Sequence, residues 1–350
     1  MKRKVDSLEI YVPSPKKKEI KFSDLDTIIN EYFDANIMTD TEYQHRLSFC
    51  NHLNRAMQFV FPSIRLFIIG SSMNGTGTHY TDFDMCILTG YEFKRTETIY
   101  FLKKLSRFLD GFREINKKIV LRNARIPIIK FKNTFIDANC DISLNNAESV
   151  VNTYMIGMFS KLCTTFRKLS LWLKYWASMM KVNDASKGNL SSYCFTLLLL
   201  QFLIHEKAIL PNLIKLFPEK FTVKSFANYD YNWDVRREVE LAPDSHRLSS
   251  LFLDFIVYFE EFDFEKSAAS ILMGGFIERS EAEKIHSRYF PHIIFKREPA
   301  LFIQDPITLA NAARSFHNPG AVENLRKALT RTRKHLSKGH CIYDIFTMKK

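Results

Sequence analysis

The chain reads as an α+β protein in two parts: a mixed sheet flanked by helices up to about residue 147, then a mostly helical region. Three observations carry that reading. Between 65 and 142, short apolar runs bounded by turns alternate with one helical stretch. From 148 onward, apolar residues recur at three- and four-residue spacing. Between the first two strand-like runs the chain breaks abruptly at Gly70-Ser71-Ser72, and two acids open the run that follows.

Size and composition bound what this chain can be. At 350 residues it can bury a large core and divide into two domains. No apolar run is long enough to span a membrane; the longest, Cys194–Ile204, is interrupted by Gln201. The polar residues after Met1-Lys2-Arg3-Lys4 do not form a secretory signal. The six cysteines (Cys50, Cys86, Cys140, Cys163, Cys194 and Cys341) include no Cys-x-x-Cys pair. They read as reduced thiols of an intracellular protein, not as disulfides or zinc ligands. A net charge of +12 calls for an anionic partner, nucleic acid first. Charge alone weighs evenly against a basic surface that binds nothing in particular.

The elements follow in order. Residues 1–21 form a basic, disordered arm with Lys2-Arg3-Lys4 and Lys16-Lys17-Lys18 at its ends. The layout is that of a bipartite import signal, but a solvated arm that helps hold RNA is the stronger reading. Residues 22–40 carry a helix with Phe22, Leu25, Ile28, Ile29, Tyr32 and Phe33 on one side, expected to pack on the helical part. Thr39 and Glu42 fit a capping box for the next helix, which runs through Leu47, Leu53 and Met57 until Pro62 stops it. A strand over 65–70 precedes the Gly-Ser turn, and a second ends at Leu88. A helix over 96–114 buries Ile99, Leu102, Leu105 and Leu109. Strands follow at 118–121, 126–131 and 135–142, with Pro127 marking an irregular start.

In the helical part, Leu162, Phe166, Leu169, Leu173, Trp176 and Met180 form a buried stripe with Lys174 beside it. After a polar loop over 183–190, serine caps the apolar helix that begins at Ser191-Ser192-Tyr193. Residues 228–247 read as a polar loop and 248–264 as another apolar helix. An Asp305-Pro306 turn leads to Asn311-Ala312-Ala313-Arg314. The last 33 residues hold eight Lys or Arg against two acids, and Leu325, Leu329 and Leu336 give a basic amphipathic helix there. Domains are therefore expected at 1–21 (arm), 22–40 (helix), 41–147 (catalytic), 148–320 (helical) and 321–350 (basic helix and tail).

The chemistry concentrates in residues 66–88. On a strand Asp82 and Asp84 share a face, with Cα atoms roughly 6.6 Å apart. Both carboxylates can then converge on two cations about 3.5–4 Å apart, the spacing of two-metal phosphoryl and nucleotidyl chemistry. Oxygen-only ligands favour Mg²⁺ or Mn²⁺ over zinc. Gly70 lets backbone approach a ligand, and free N–H groups at a helix start attract phosphate. The competing reading is an edge strand with two solvated aspartates, but Gly-Ser, a ten-residue gap and then Asp-x-Asp opening an apolar strand is a rarer combination. A third acid comes from the strand ending Cys140-Asp141-Ile142, with Asp137 competing because it shares Asp141's face by parity.

The stretch 66–88 resembles the signature of the DNA polymerase β-like nucleotidyltransferases, and more narrowly of the non-canonical poly(A) polymerases and terminal uridylyltransferases. Cys140-Asp141-Ile142 followed by Asn145-Asn146, the Lys174-Tyr175-Trp176-Ala177 run, the 183–186 loop and the 302–316 block extend the likeness over about 22–346. It implies a nucleotidyltransferase domain and a helical central domain with the nucleotide cleft between them. It assigns Asp82, Asp84 and Asp141 as catalytic carboxylates holding two Mg²⁺ or Mn²⁺ ions, and selects Asp141 over Asp137. Gly70, Ser71, Lys174 and Ser192 would hold the triphosphate, Tyr193 would stack on the base, and Asn152 would contact the ribose. Read singly, Lys174 is a solvated helix lysine and Tyr193 a core tyrosine; the spacing after Asp141 favours the family roles.

Substrates implied by the resemblance are an RNA 3′ end and a nucleoside triphosphate. ATP is preferred because uridylyl-adding members often carry histidine where this chain has Asn311. The departure is Ser178, where many members have a second lysine. The rival readings are an RNA uridylyltransferase or mixed-tail enzyme, and an RNA- or protein-binding paralogue without turnover, which intact carboxylates disfavour. With no appended RNA-binding domain evident, an RNA-binding protein partner is expected to choose the RNA, in the cytoplasm and with the nucleus open to the basic N-terminus.

Overall fold

A computed structural model of the chain describes residues 2–5, 8–11, 24–124, 126–223, 233–241, 245–289, 301–314, 316 and 319–347. Lys16, Lys17 and Lys18 of the basic arm, Phe22, residues 228–232 and 242–244 of the loop expected at 228–247, and the last three residues lie outside the described residues. Two short strands, β1 (Lys2–Val5) and β2 (Leu8–Tyr11), pair antiparallel within the stretch expected to be unstructured.

The chain divides into two compact units. One comprises Ile37–Lys161 with Glu219–Asp234; the other comprises Met1–Asn36, Leu162–Pro218 and Val235–Lys350. The first holds a five-stranded sheet built from β3 (Ile64–Ile68), β4 (Phe83–Thr89), β5 (Ile115–Leu121), β6 (Ile128–Asn133) and β7 (Ala138–Leu144). The strand order is β3-β4-β7-β6-β5, with β4 and β7 parallel and every other pair antiparallel. The sheet is mixed: a long connection through a helix, β5 and β6 brings β7 back parallel to β4, while short turns join β5 to β6 and β6 to β7 antiparallel.

Alternation along β4 decides what each face does. Phe83, Met85 and Ile87 are buried against Phe49, Leu53 and Met57 of α2 (Asp40–Val60) and Leu102 and Leu105 of α3 (Arg95–Phe108). Each such side chain contributes about 1.5–3 kcal/mol of burial. Cys86 and Leu88 point the other way, to Ile69 and to Val150 of α4 (Ala147–Leu162). Asp84 shares that second face. The capping box of α2 is present: the Thr39 side chain accepts from Glu42 N–H, and Glu42 accepts from Thr39 N–H at 2.8 Å.

The helical unit is built on α1 (Leu25–Asn36), α5 (Thr164–Met179), α6 (Ser192–Gln201), α8 (Leu248–Glu261) and α10 (Pro319–Leu336). Trp172 and Trp176 of α5 are fully buried and meet Phe252 of α8 edge-on. Tyr32 of α1 stacks on Tyr175 at 4.5 Å between ring centres. Thr332 of α10 accepts a hydrogen bond from Trp176 Nε1 at 2.9 Å, so this basic helix is part of the core and not an appendage. Shorter pieces complete the unit: α7 (Leu213–Leu216), a hairpin of β8 (Ser267–Ser270) and β9 (Gly275–Glu278), α9 (Arg279–Tyr289) and α11 (Ile342–Thr347).

Candidate active site

Register places the acids. In the parallel pairing of β4 and β7, Asp84 lies directly opposite Asp141. In the antiparallel pairing of β7 and β6, Asp141 lies directly opposite Lys130. One row across three strands thus reads Asp84, Asp141, Lys130, all on the face away from the main core. Asp82 stands one residue before β4, exposed, with Asn139 Nδ2 at 3.4 Å from its Oδ1. Asp137 is separated from this row. It sits in the turn between β6 and β7 with φ +47° and pairs with Lys132 at 2.6 Å.

The electrostatics of the row are those of a site that needs positive charge. Burial pushes the Asp141 carboxyl above its usual range; Lys130 opposes that, and the charge of Asp82 adds to it. Burial works against the Lys130 charge too, yet its bond to Asp141 and the charges of Asp141, Asp82 and Asp84 hold it above the usual lysine range. Lys130 Nζ lies 3.0 Å from Asp141 Oδ2. The other oxygen, Oδ1, is buried without a hydrogen-bond partner. A buried, half-satisfied carboxylate is costly unless a further cation or donor arrives.

The Gly-Ser turn lies against the same acids. Gly70 has φ +70°, and a Cβ there would stand 3.1 Å from Asp84 Oδ2. Glycine is therefore required both by conformation and by the approach of the carboxylate. Gly77 has the second such role, since a Cβ on it would stand 2.6 Å from the Ser71 carbonyl oxygen. The expectation for the Gly70 N–H changes here: it donates to Thr153 Oγ1 at 2.8 Å, which ties the turn to α4. Ser71 is half-buried, and its hydroxyl has no partner among the described residues.

Sequence reasoning passed over two cations. Lys130 carries no signal of its own, because only the register of β6 against β7 sets it opposite Asp141. Arg46 carries none either. It is 3% exposed on α2, donates to Ser72 Oγ at 2.6 Å and to the Thr81 carbonyl at 2.8 Å, and lies over the Phe83 ring. Ser72 Oγ in turn donates to the Asp82 carbonyl at 2.9 Å. Arg46 therefore braces the turn against the start of β4.

Within the sheet unit, Asn152 sits half-buried on α4. The remaining expected residues belong to the helical unit. Lys174 is half-buried on α5. Ser191 caps α6 by accepting from Cys194 N–H, and Asn183 Nδ2 donates to Ser192 Oγ at 3.1 Å. Tyr193 donates its hydroxyl to Asp305 Oδ2 at 2.9 Å, joining the start of α6 to the acid-Pro turn. Asn311, which the resemblance assigns to the nucleotide, lies just after the acid-Pro turn. Its side chain is wholly buried, donates to the Leu301 carbonyl at 2.8 Å and accepts from the N–H groups of Ile303 and Ala313. These bonds hold the turn's shape.

Among the described residues no group of three His, Cys, Asp or Glu side chains stands ready to hold a metal ion. The donor chemistry nevertheless suits a hard cation: carboxylate oxygens only, an orphaned buried oxygen on Asp141, and a lysine ammonium already drawn to that acid.

Two family models match, one described as poly(A) RNA polymerase, mitochondrial-like, central palm domain over residues 25–161, the other as Cid1 family poly A polymerase over residues 247–311. Poly(A) RNA polymerase GLD2-A of Xenopus laevis is 30% identical over 278 residues, covering 78% of this chain and 52% of that protein. The chain belongs to the Cid1-type poly(A) polymerase family. Poly(A) RNA polymerase GLD2 of Homo sapiens is 29% identical over 321 residues, covering 88% of this chain and 62% of that protein. The chain thus spans between about half and two thirds of these curated relatives. Two solved structures share the Cid1-type fold. A chain of the GLD-2/RNP-8 complex superposes with a TM-score of 0.78 at 24% identity, covering 94% of this chain and 98% of that one. The Cid1 poly(U) polymerase superposes at 0.75 and 22%, covering 94% and 99%.

Proposed function

We propose that this protein is a template-independent RNA 3′-terminal nucleotidyltransferase that adds AMP from ATP. The observation that carries the reading is the row in which Asp84 and Asp141 lie side by side, with the Gly70 turn held against Asp84. Family membership and the likeness to GLD2 poly(A) polymerases support adenylate over uridylate.

In this reading Asp82, Asp84 and Asp141 would hold two Mg²⁺ or Mn²⁺ ions, Asp141 sharing in one of them. Those ions supply charge stabilisation for the attacking and leaving oxygens. The RNA 3′-hydroxyl attacks the α-phosphate in line, and pyrophosphate leaves. Asp141, its carboxyl already shifted toward protonation, is suited to take the hydroxyl proton. Ser71, Lys174 and Ser192 bind the triphosphate, Tyr193 the base and Asn152 the ribose. Gly70 acts through its missing side chain. Asn311 acts by shaping the turn that binds Tyr193. The chain's own contribution is mainly position.

RNA choice is assigned to an RNA-binding protein partner; the GLD-2 structure that this chain resembles is that of a complex with RNP-8. No described helix is long and apolar enough to cross a membrane. Cytoplasmic action is part of the proposal, as is a nuclear pool.

The test is extension of a labelled RNA with each of the four nucleoside triphosphates in turn. A-tails are expected. U-tails would move the protein to the uridylyl-adding branch, and no product would support a binding paralogue. Asp84→Ala is expected to abolish incorporation while thermal unfolding stays cooperative. Extension surviving in that variant would sink the assignment of the acids.

A further inference from the structure

α10 buries Leu325, Ala328, Leu329, Thr332 and Leu336 and turns a different chemistry outward. With the end of α5 and the start of α11, its outer face bounds a groove of about 1190 Å³. Six Lys or Arg side chains line the groove against two acids, Glu323 and Asp344. Glu323 already pairs with Lys327 at 2.6 Å, and Asp344 lies 3.7 Å from His335. Lys181, Lys334 and Lys338 are exposed and enter no ion pair among the described residues.

The backbone at Lys181 is an independent observation. Its φ is +60°, the left-handed conformation that closes α5, with Val182 N–H bonded to the Ala177 carbonyl at 2.9 Å. Glycine is the usual residue at such a position. A lysine there costs about 1 kcal/mol. Its ammonium makes no ion pair or hydrogen bond among the described residues to offset that cost, and its side chain lines the groove.

Arg326 and Lys334 are eight residues apart on α10, about 12 Å at 1.5 Å per residue, and Lys338 lies one turn beyond. At one charge per ~3.4 Å along a strand, the roughly 12 Å from Arg326 to Lys334 matches three to four successive phosphates. The compact charge of one triphosphate would leave most of that row unpaired. We propose that the groove holds the phosphate backbone of the RNA strand, by charge and without reading bases. The inference rests on RNA being the substrate. Lys181 follows Lys174 by seven residues, about 10 Å at helical rise, so the groove takes RNA outside the reacting nucleotide.

The test compares the parent with Lys181→Glu/Lys334→Glu/Lys338→Glu in two assays. In nucleotide-free fluorescence anisotropy with a fluorescent 20-nucleotide RNA, the triple variant is expected to bind at least tenfold more weakly. Its slope of log affinity against log salt is expected to fall by about 2, at roughly 0.7 for each phosphate no longer neutralised. In the extension assay, the RNA KM is expected to rise with that RNA and to change far less with a primer of three nucleotides. Lys181→Gly serves as the second variant. It relieves the backbone, so its melting temperature is expected to hold or rise while RNA affinity falls; a purely structural lysine would not separate the two. Parent-like affinity and salt slope in the triple variant overturn the proposal, and leave the groove to an acidic protein or to nothing. A parent that extends no RNA defeats the functional reading instead, and the extension assay on the parent alone makes that distinction.

Discussion

Asp141 concentrates the tension of the site in one side chain. It is set into a strand between Cys140 and Ile142, both wholly buried, yet the proposed reaction would use it as an ionised carboxylate. Its folded acidity lies above the ordinary aspartate range because burial outweighs Lys130. A group raised in this way favours the fold while protonated, below its ordinary range, and loses that contribution as pH rises through the folded value. Without divalent cations, Asp141→Asn is therefore expected to melt at or above the parent temperature at neutral pH, with the gap closing on acidification. Magnesium should raise the parent melt more than that of the variant. A pH series of thermal melts with and without magnesium checks both; a variant less stable at neutral pH without metal would mean that the Lys130 pair outweighs burial. At this scale much was legible: the two acids behind the Gly-Ser turn, and Asp141 through family likeness. Lys130 was not legible, because a lysine on a strand acquires meaning only when the register sets it against an acid. Arg46 was illegible, since nothing in a helical sequence tells which of its basic residues is to be enclosed.

Among the elements, α8 gives the clearest case of local sequence needing help from elsewhere. Its capping residue is Arg247, which makes no capping hydrogen bond. Asp26, in the first turn of α1, serves instead: its Oδ1 accepts from Ser249 N–H at 2.8 Å, and its Oδ2 accepts from Ser249 Oγ and Arg247 Nε, each at 2.8 Å. Burial opposes the Asp26 charge, but these bonds hold its acidity below the ordinary range. The sign is opposite to that of Asp141: the stabilisation is present above the ordinary aspartate value and fades as pH falls through the lowered one. Asp26→Ala is expected to cost about 1–2 kcal/mol, as a lost helix cap does, and the deficit should shrink in acid. Urea unfolding at pH 7 and at pH 3 measures it. Element identity was largely readable, and the boundaries less so. The helix expected over 96–114 ends at Phe108 and passes into a tight 109–111 turn. The expected strand start at 135 is a turn through 137. The sheet unit reaches Lys161 and not 147, because α4 packs Val150 against the sheet and binds the Gly70 turn through Thr153. Periodicity alone classes α4 with the helices that follow it.

For the molecule as a whole, charge governs association. With a net charge of +12, RNA affinity is expected to fall linearly in log–log form with salt, for RNAs of any sequence. Filter binding across a salt series with two unrelated RNAs checks this, and a sequence-dependent slope would contradict it. The sequence by itself determined the fold class and the family and singled out the candidate acids, because these are carried by short spacings: alternation on a strand, three- and four-residue steps on a helix, a glycine before a serine. Tertiary structure alone decided what each residue faces across the chain. It set Lys130 beside Asp141, gave the Gly70 N–H to Thr153, bound Tyr193 to Asp305 and enclosed the Asn311 amide, which the family resemblance assigns to the nucleotide. Those pairings join residues up to 112 positions apart, and register and burial, which select them, are properties of the assembled sheet and helices.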